Sequence, residues 1–239
     1  MKKAFLTLSI ITSILISCKQ EVKPVKENIK TTSDTFNQFL NDYNEGKLVL
    51  NPINATYAGD NRFNDKFPIT ISKEYQEKTT AFYTDYKTRL ANFKDADLTE
   101  NEQMSKAVLD WDCDMALAQN SFKNDALMPI NQMWTINLTM GQLASGSSAQ
   151  PFKTVKDYQN WLGRLDGFYS WMQIAIKNMR QGAKEGYVLP TSLIKKVIPQ
   201  FETLAKTKLT EHLFYTPIHN FPDSFSDVEK KSLTRKYTY

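Results

Sequence analysis

The side chains best suited to hydrolytic or metal chemistry are few. There are two histidines, His212 and His219, with Pro217 between them. A catalytic zinc ion needs about three protein ligands and usually a general base beside it. Glu211-His212 is in the wrong order for an H-E-x-x-H helix. On a continuous helix the two rings would stand about 10 Å apart along the axis, and Pro217 breaks any such helix. His212 therefore reads as a surface or capping group near a helix end. Asp110, Asp112 and Asp114 have the alternation of a calcium loop. That loop needs glycine at its sixth position and glutamate at its twelfth, where this chain has Met115 and Ser121. On a helix Asp110 and Asp114 share a face and Asp112 points away, which describes a solvated acidic face. Cys113 sits between two of these carboxylates, which suppress its thiolate, so it reads as a packed thiol. No G-x-S-x-G, S-x-x-K or G-x-x-x-x-G-K-[ST] is present.

Two loops carry the remaining polar groups of interest. The first runs from Asn51 to Asn64. Gly59 suits a left-handed helix stop, and Asp60 and Arg62 can pair across the turn. Gly59, Asp60 and Arg62 are thus candidates either for a cleft wall or for a local structural motif. The second, Met128 to Leu143, is apolar with Asn131, Gln132, Asn137 and Gln142 interspersed. Its backbone polar groups need partners, and it reads as folding under neighbouring helices in preference to lining a pocket.

These residues are carried by an all-α chain. Ser33-Asp34 caps a helix bearing Phe36, Phe39, Leu40 and Tyr43, stopped by Gly46. Asn51-Pro52 opens a short helix ended by Gly59. Ser72 opens a third, with Tyr75, Phe82, Tyr83, Tyr86, Leu90 and Phe93 on one face. Thr99 with Glu102 is a capping box; its helix places Met104, Val108, Trp111, Met115, Ala118 and Phe122 inward. After a less regular stretch over 124–151, Thr154 with Asp157 opens the longest helix. Its stripe is Tyr158, Trp161, Leu162, Leu165, Phe168, Tyr169, Met172, Ile176 and Met179, and Gly182 and Gly186 end it. Another helix spans Pro190 to Glu211, with Leu193, Val197, Phe201 and Leu204 inward and a kink at Pro199. Ser226 with Glu229 caps a last one, with Val228 and Leu233 starting its apolar face. Its lack of a closing signal before Tyr239 gives it the look of an interrupted helix. Most aromatic residues fall on these stripes and read as core.

Composition agrees. The 239 residues are 41% hydrophobic and 23% charged, within the range of a folded globular chain. Eight glycines are few for a sandwich or barrel, and two cysteines cannot make a disulfide framework. Residues 4–17 are uncharged and mostly apolar behind Lys2 and Lys3. That run is too short to span a bilayer, which takes roughly 20 residues, and has the length of a secretory signal core. It ends in Leu15-Ile16-Ser17-Cys18, which resembles a bacterial lipobox. The resemblance implies a signal peptide over 1–17, lipidation of Cys18 and a membrane partner through that anchor. Multiple acyl chains give stable attachment where one is marginal. Lys19 in place of aspartate leads to the expectation of an outer-membrane lipoprotein, periplasmic or surface-facing. Residues 18–32 form a polar tether and 33–239 the helical domain. Without Lys2 and Lys3 there are 28 basic and 26 acidic residues, too balanced for nucleic-acid binding.

Asn51-Pro-x-x-Ala-Thr-x-x-Gly-Asp-x-Arg-x-Asn64 resembles the N-terminal signature of the bacterial domain-of-unknown-function family 885. Leu109-Asp110 leading to Pro129-Ile130-Asn131, Tyr158-x-x-Trp-Leu-x-Arg-Leu165, and Met179-Arg-Gln-Gly-x-x-x-Gly-Tyr-Val-Leu-Pro190 agree in order and spacing. The resemblance runs over roughly 35–239. It implies the N-terminal half of a larger all-helical, zinc-metallopeptidase-like fold, found in many lipoproteins, whose second half carries an H-E-x-x-P-G-H zinc motif. No residue here matches those ligands. The expectation is a truncated, lipid-anchored member without a cofactor or catalytic residue of its own. Zinc belongs only to full-length relatives, and the partners are a peptide substrate or the missing C-terminal half. The alternative is a helical envelope lipoprotein that binds peptide or glycan through aromatic and Asn/Gln-rich loops.

Overall fold

The computed structural model describes residues 32–133 and 135–238; the expected signal peptide, Cys18 and the tether up to residue 31 lie outside them. Among the described residues there are ten α-helices and no strand. They are α1 (Thr32–Leu50), α2 (Pro52–Tyr57), α3 (Lys73–Leu90), α4 (Glu100–Ser121), α5 (Asn124–Leu127), α6 (Ile136–Ala144), α7 (Val155–Glu185), α8 (Thr191–Lys206), α9 (Thr216–His219) and α10 (Asp227–Tyr237). No described helix is long and apolar enough to cross a membrane.

The helix starts follow local chemistry. Ser72 accepts a hydrogen bond from the Tyr75 amide, and Thr99–Glu102, Thr154–Asp157 and Ser226–Glu229 all close reciprocal capping boxes. Each such cap contributes on the order of 1 kcal/mol. Two cores result. In the first, Phe36, Phe39 and Tyr43 of α1 meet Tyr83, Tyr86 and Leu90 of α3 and Leu109 and Cys113 of α4. The second surrounds α7. Tyr158, Trp161, Phe168, Trp171 and Ala175 pack against α6, the 67–71 segment, Tyr215, Ile218, Phe225 and α10. From α10, Leu233 is buried and the Tyr237 hydroxyl donates to the Tyr158 carbonyl at 3.0 Å, whereas Val228 stays exposed.

Several sequence expectations need correction. Gly46 does not stop α1, which runs through it to Leu50 and begins at Thr32, inside the expected tether. Its role is space: a Cβ there would fall on the Phe82 ring. Gly182 is likewise inside α7, against the Leu127 carbonyl, and Gly186 (φ 85°) makes the stop. The irregular stretch over 124–151 contains α5 and α6, with Met140, Leu143 and Ala144 fully buried. The helix expected over 190–211 ends at Lys206, with Pro199 inside it.

Helix α4 buries a different face from the one its apolar spacing suggests. Met104, Val108, Trp111, Met115 and Phe122 were expected inward, yet they are 67, 60, 63, 46 and 60% exposed. The inward face is Glu102, Leu109 and Cys113. Polar contacts set this rotation. Glu102 accepts from Ser33 and Asn37 of α1. Asp112 meets Lys47 and Tyr43, and Lys87 of α3 bridges Asp110 and Asp114 at 2.8 and 2.7 Å. Asp110 and Asp114 do share a face, and their charges are tied to a neighbouring helix. In α7, Tyr169 is also exposed, while Trp171 takes an inward place.

Candidate polar site at the signature loop

Pro52 starts α2 and Gly59, at φ 85°, turns the chain out of it. The Asp60 carboxylate then caps the 61–63 turn, accepting from the Arg62 amide at 3.0 Å. The Arg62 guanidinium returns to Asp60 at 2.6 Å and reaches Glu45 of α1 at 2.8 Å. Hydrogen bonds from Arg62 hold the Asp60 carboxyl below the usual carboxylate range, and the two carboxylates raise Arg62 in turn. Arg62 and Glu45 are more than half exposed and Asp60 is partly covered, so their pairing orients the loop more than it stabilises it. The structure thus brings Gly59, Asp60 and Arg62 together, and the charges of Asp60 and Arg62 are spent on each other and on Glu45.

Behind this loop lies a group that the sequence reading passed over. Arg164 of α7 is 0% exposed. Its guanidinium donates to Gln150 Oε1 at 2.5 Å, Thr56 Oγ1 at 2.9 Å, the Phe63 carbonyl at 3.0 Å and the Lys66 carbonyl at 3.2 Å. Thr56 also binds Asn64 Oδ1 at 2.6 Å. Two separate sequence motifs therefore meet at one side chain: the Asn51–Asn64 loop is folded around the arginine of Tyr158-x-x-Trp-Leu-x-Arg-Leu165. Gly163 and Gly167 allow it, because the 65–67 backbone crosses α7 where a Cβ at Gly167 would lie 2.8 Å from the Phe67 carbonyl oxygen. No carboxylate hydrogen-bonds Arg164 among the described residues. Burial pushes its pKa down to about 10, still far above neutral, so the charge persists at pH 7 and is balanced by carbonyl and amide dipoles. A signal was available: Arg164 is the single charge in the 161/164/168/171/175 seam.

A polar cavity of about 570 Å³ opens beside this core, bordered by Gly59, Asn61, the 145–153 segment, Pro217 and Asn220. Gln150 at its floor is 1% exposed and holds Arg164 through Oε1; its Nε2 is buried without a partner. A second cavity, about 390 Å³ and almost wholly apolar, lies between α7 and α8, with Met172, Ile176, Met179, Val197, Ile198 and Phe201 among its walls. No residue of α8 is fully buried.

The remaining candidates are engaged elsewhere. His212 Nδ1 accepts from the Phe214 amide at 3.1 Å, the capping role expected of it, and burial lowers its pKa. His219 Nε2 lies 2.6 Å from the Thr210 carbonyl and so carries the proton. No three His, Cys, Asp or Glu side chains among the described residues are grouped to hold a metal ion, and this donor set does not fit the zinc that the family resemblance implies. Cys113 is fully buried, 4.0 Å from the Tyr43 hydroxyl, and burial raises its pKa. From the Met128–Leu143 segment, Ile130 and Asn137 are buried, and Thr135 donates to Asn137 Oδ1 at 2.6 Å.

No curated protein and no solved structure matched the chain. Residues 52–238 match the family described as bacterial protein of unknown function (DUF885), a span that takes in the signature loop from Pro52 onward, Arg164 and the polar cavity, and the chain belongs to that family.

Proposed function

We propose that this chain is a lipid-anchored envelope protein that forms the zinc-free wall of a metallopeptidase-like fold and hydrolyses nothing by itself. The observation that carries the reading is the donor inventory. Hydrolytic zinc needs about three ligands with an open fourth position, and both imidazoles here are committed to backbone groups, His212 to an amide and His219 to a carbonyl. The zinc-bearing half would be supplied from outside residues 32–238. The exposed apolar stripe of α4, from Met104 to Phe122, suits its docking, since contiguous apolar surface of this kind marks protein contact. The Cys18 lipid would hold the assembly at the outer membrane.

The test is a peptidase assay on the purified chain with added zinc and a mixed peptide library, read by mass spectrometry. No turnover above buffer is expected; zinc-dependent cleavage that follows the protein through purification overturns the reading. Replacing Cys18 by serine should release the protein from the membrane fraction. The polar cavity favours a second reading, capture of a peptide or glycan.

A further inference from the structure

The cavity beside the signature loop has an unusual donor balance. Its charged lining residue is Lys153, and no carboxylate lines it. Lys153 has no ion-pair partner among the described residues. Asp157, the nearest acid in sequence, is turned to the backbone: its Oδ2 accepts from the Lys153 and Thr154 amides at 2.9 and 2.8 Å. The rim is hydroxyl- and amide-rich. Ser145 and Ser147 hydrogen-bond each other at 3.1 Å, and Asn61 and Asn220 also line the cavity.

The floor is set by Arg164. Its Nη1 donates to Gln150 Oε1 at 2.5 Å, which fixes the orientation of that amide: a flipped Gln150 would place two donors face to face. The end that remains is Nε2, a donor, buried and without a partner. A guanidinium donating to the carbonyl end of an amide polarises its N–H bonds, so Nε2 becomes a stronger donor. Gln150 is one of the residues that line the cavity, so this strengthened, unpartnered donor belongs to its wall.

We propose that this cavity is a binding site for a small carboxylate-bearing molecule. The carboxylate sits between Lys153 and the Gln150 floor, and its neighbouring hydroxyl or amide groups meet Ser145, Ser147, Asn61 and Asn220. A free peptide C-terminus and a sugar acid share this chemistry and fit the volume. The site stands whether or not the chain is part of a peptidase-like assembly.

Isothermal titration of the purified full chain separates the sources. The probes are a tripeptide with a free C-terminus, the same tripeptide amidated, glucuronic acid and glucose. At least one carboxylate should bind at least tenfold tighter than its neutral counterpart, and which one does so identifies the source. Gln150→Glu is the decisive variant. It is isosteric and keeps the Arg164 contact, so the unfolding midpoint should hold or rise. It also replaces the floor donor with an acceptor and a negative charge, so carboxylate binding should fall at least thirtyfold. Lys153→Gln should weaken binding about tenfold without altering stability. The proposal is overturned if no carboxylate binds, if acid and neutral probes bind equally, or if folded Gln150→Glu binds as the parent does.

Discussion

Replacing Arg164 with methionine isolates the interaction that joins the two family motifs. Methionine fills much of the same space but leaves the Phe63 and Lys66 carbonyls, Thr56 Oγ1 and Gln150 Oε1 without their donor. Buried ions are in some proteins replaced by apolar groups at no cost, because both partners go at once. That route is closed here, since two of the acceptors are main chain. A buried acceptor left unpaired costs about 1–3 kcal/mol. Taking the low end for four acceptors, and allowing about 1 kcal/mol back for the desolvation that methionine avoids, the loss is about 3 kcal/mol. For a chain of this size each kcal/mol moves Tm by about 2–4 °C, so Arg164→Met should melt about 6–12 °C lower. Arg164→Lys keeps the charge but cannot fork to four acceptors, and should cost about half as much. Urea denaturation followed by circular dichroism on a soluble form from Lys19 onward gives both values. A cost below about 1 kcal/mol for Arg164→Met would refute the claim that this side chain organises the loop.

Three other perturbations test the packing. Gly167→Ala gains about 1 kcal/mol of helix propensity but drives a methyl into the Phe67 backbone. A net loss of about 1–2 kcal/mol is expected as a lower urea midpoint. Trp111→Ser on the exposed face of α4 should change stability by less than about 0.5 kcal/mol and reduce binding of a hydrophobic dye; an inward tryptophan would instead cost about 3–5 kcal/mol. Burial would raise the Asp112 carboxyl, but Lys47 and Tyr43 outweigh it and lower the pKa. Its stabilising contribution is therefore complete above the unfolded-state value of about 3.9 and lost as pH falls through the folded-state value. Asp112→Asn should destabilise at pH 7 and flatten the pH dependence of the urea midpoint below about pH 4.

Element type was legible wherever caps and periodicity agreed. Ser72, Thr99, Thr154 and Ser226 open helices because their side chains satisfy amides that the helix itself leaves free. What failed was orientation. On α4, Met104, Val108, Trp111 and Met115 form as regular a stripe as any buried one. Burial instead followed the Asp112–Lys47 and Asp110–Lys87–Asp114 pairs, which depend on α1 and α3 and have no local signature. Glycine failed similarly: Gly46 and Gly182 read as helix stops, yet each is fixed by a neighbour more than thirty residues away in the chain. For the site, the Asp60–Arg62 pair could be foreseen from a two-residue spacing. Arg164 could not be assigned its partners, because they come from two segments that only the 65–67 crossing of α7 brings within reach. The Ser145–Gln150 wall follows α6, a nine-residue helix without a side-chain cap in which Asn137, Thr139 and Gln142 interrupt the apolar residues, so the stretch carried no clear local signal.

The proposed function requires that this polypeptide alone assemble no hydrolytic metal centre. Equilibrium dialysis of the purified chain against micromolar zinc, with metal measured per mole of protein after buffer exchange, tests it directly. Far less than one retained zinc per chain is expected, with no change when His212 and His219 are both replaced by glutamine. One tightly held zinc per chain, lost in that double variant together with peptide cleavage, would contradict it.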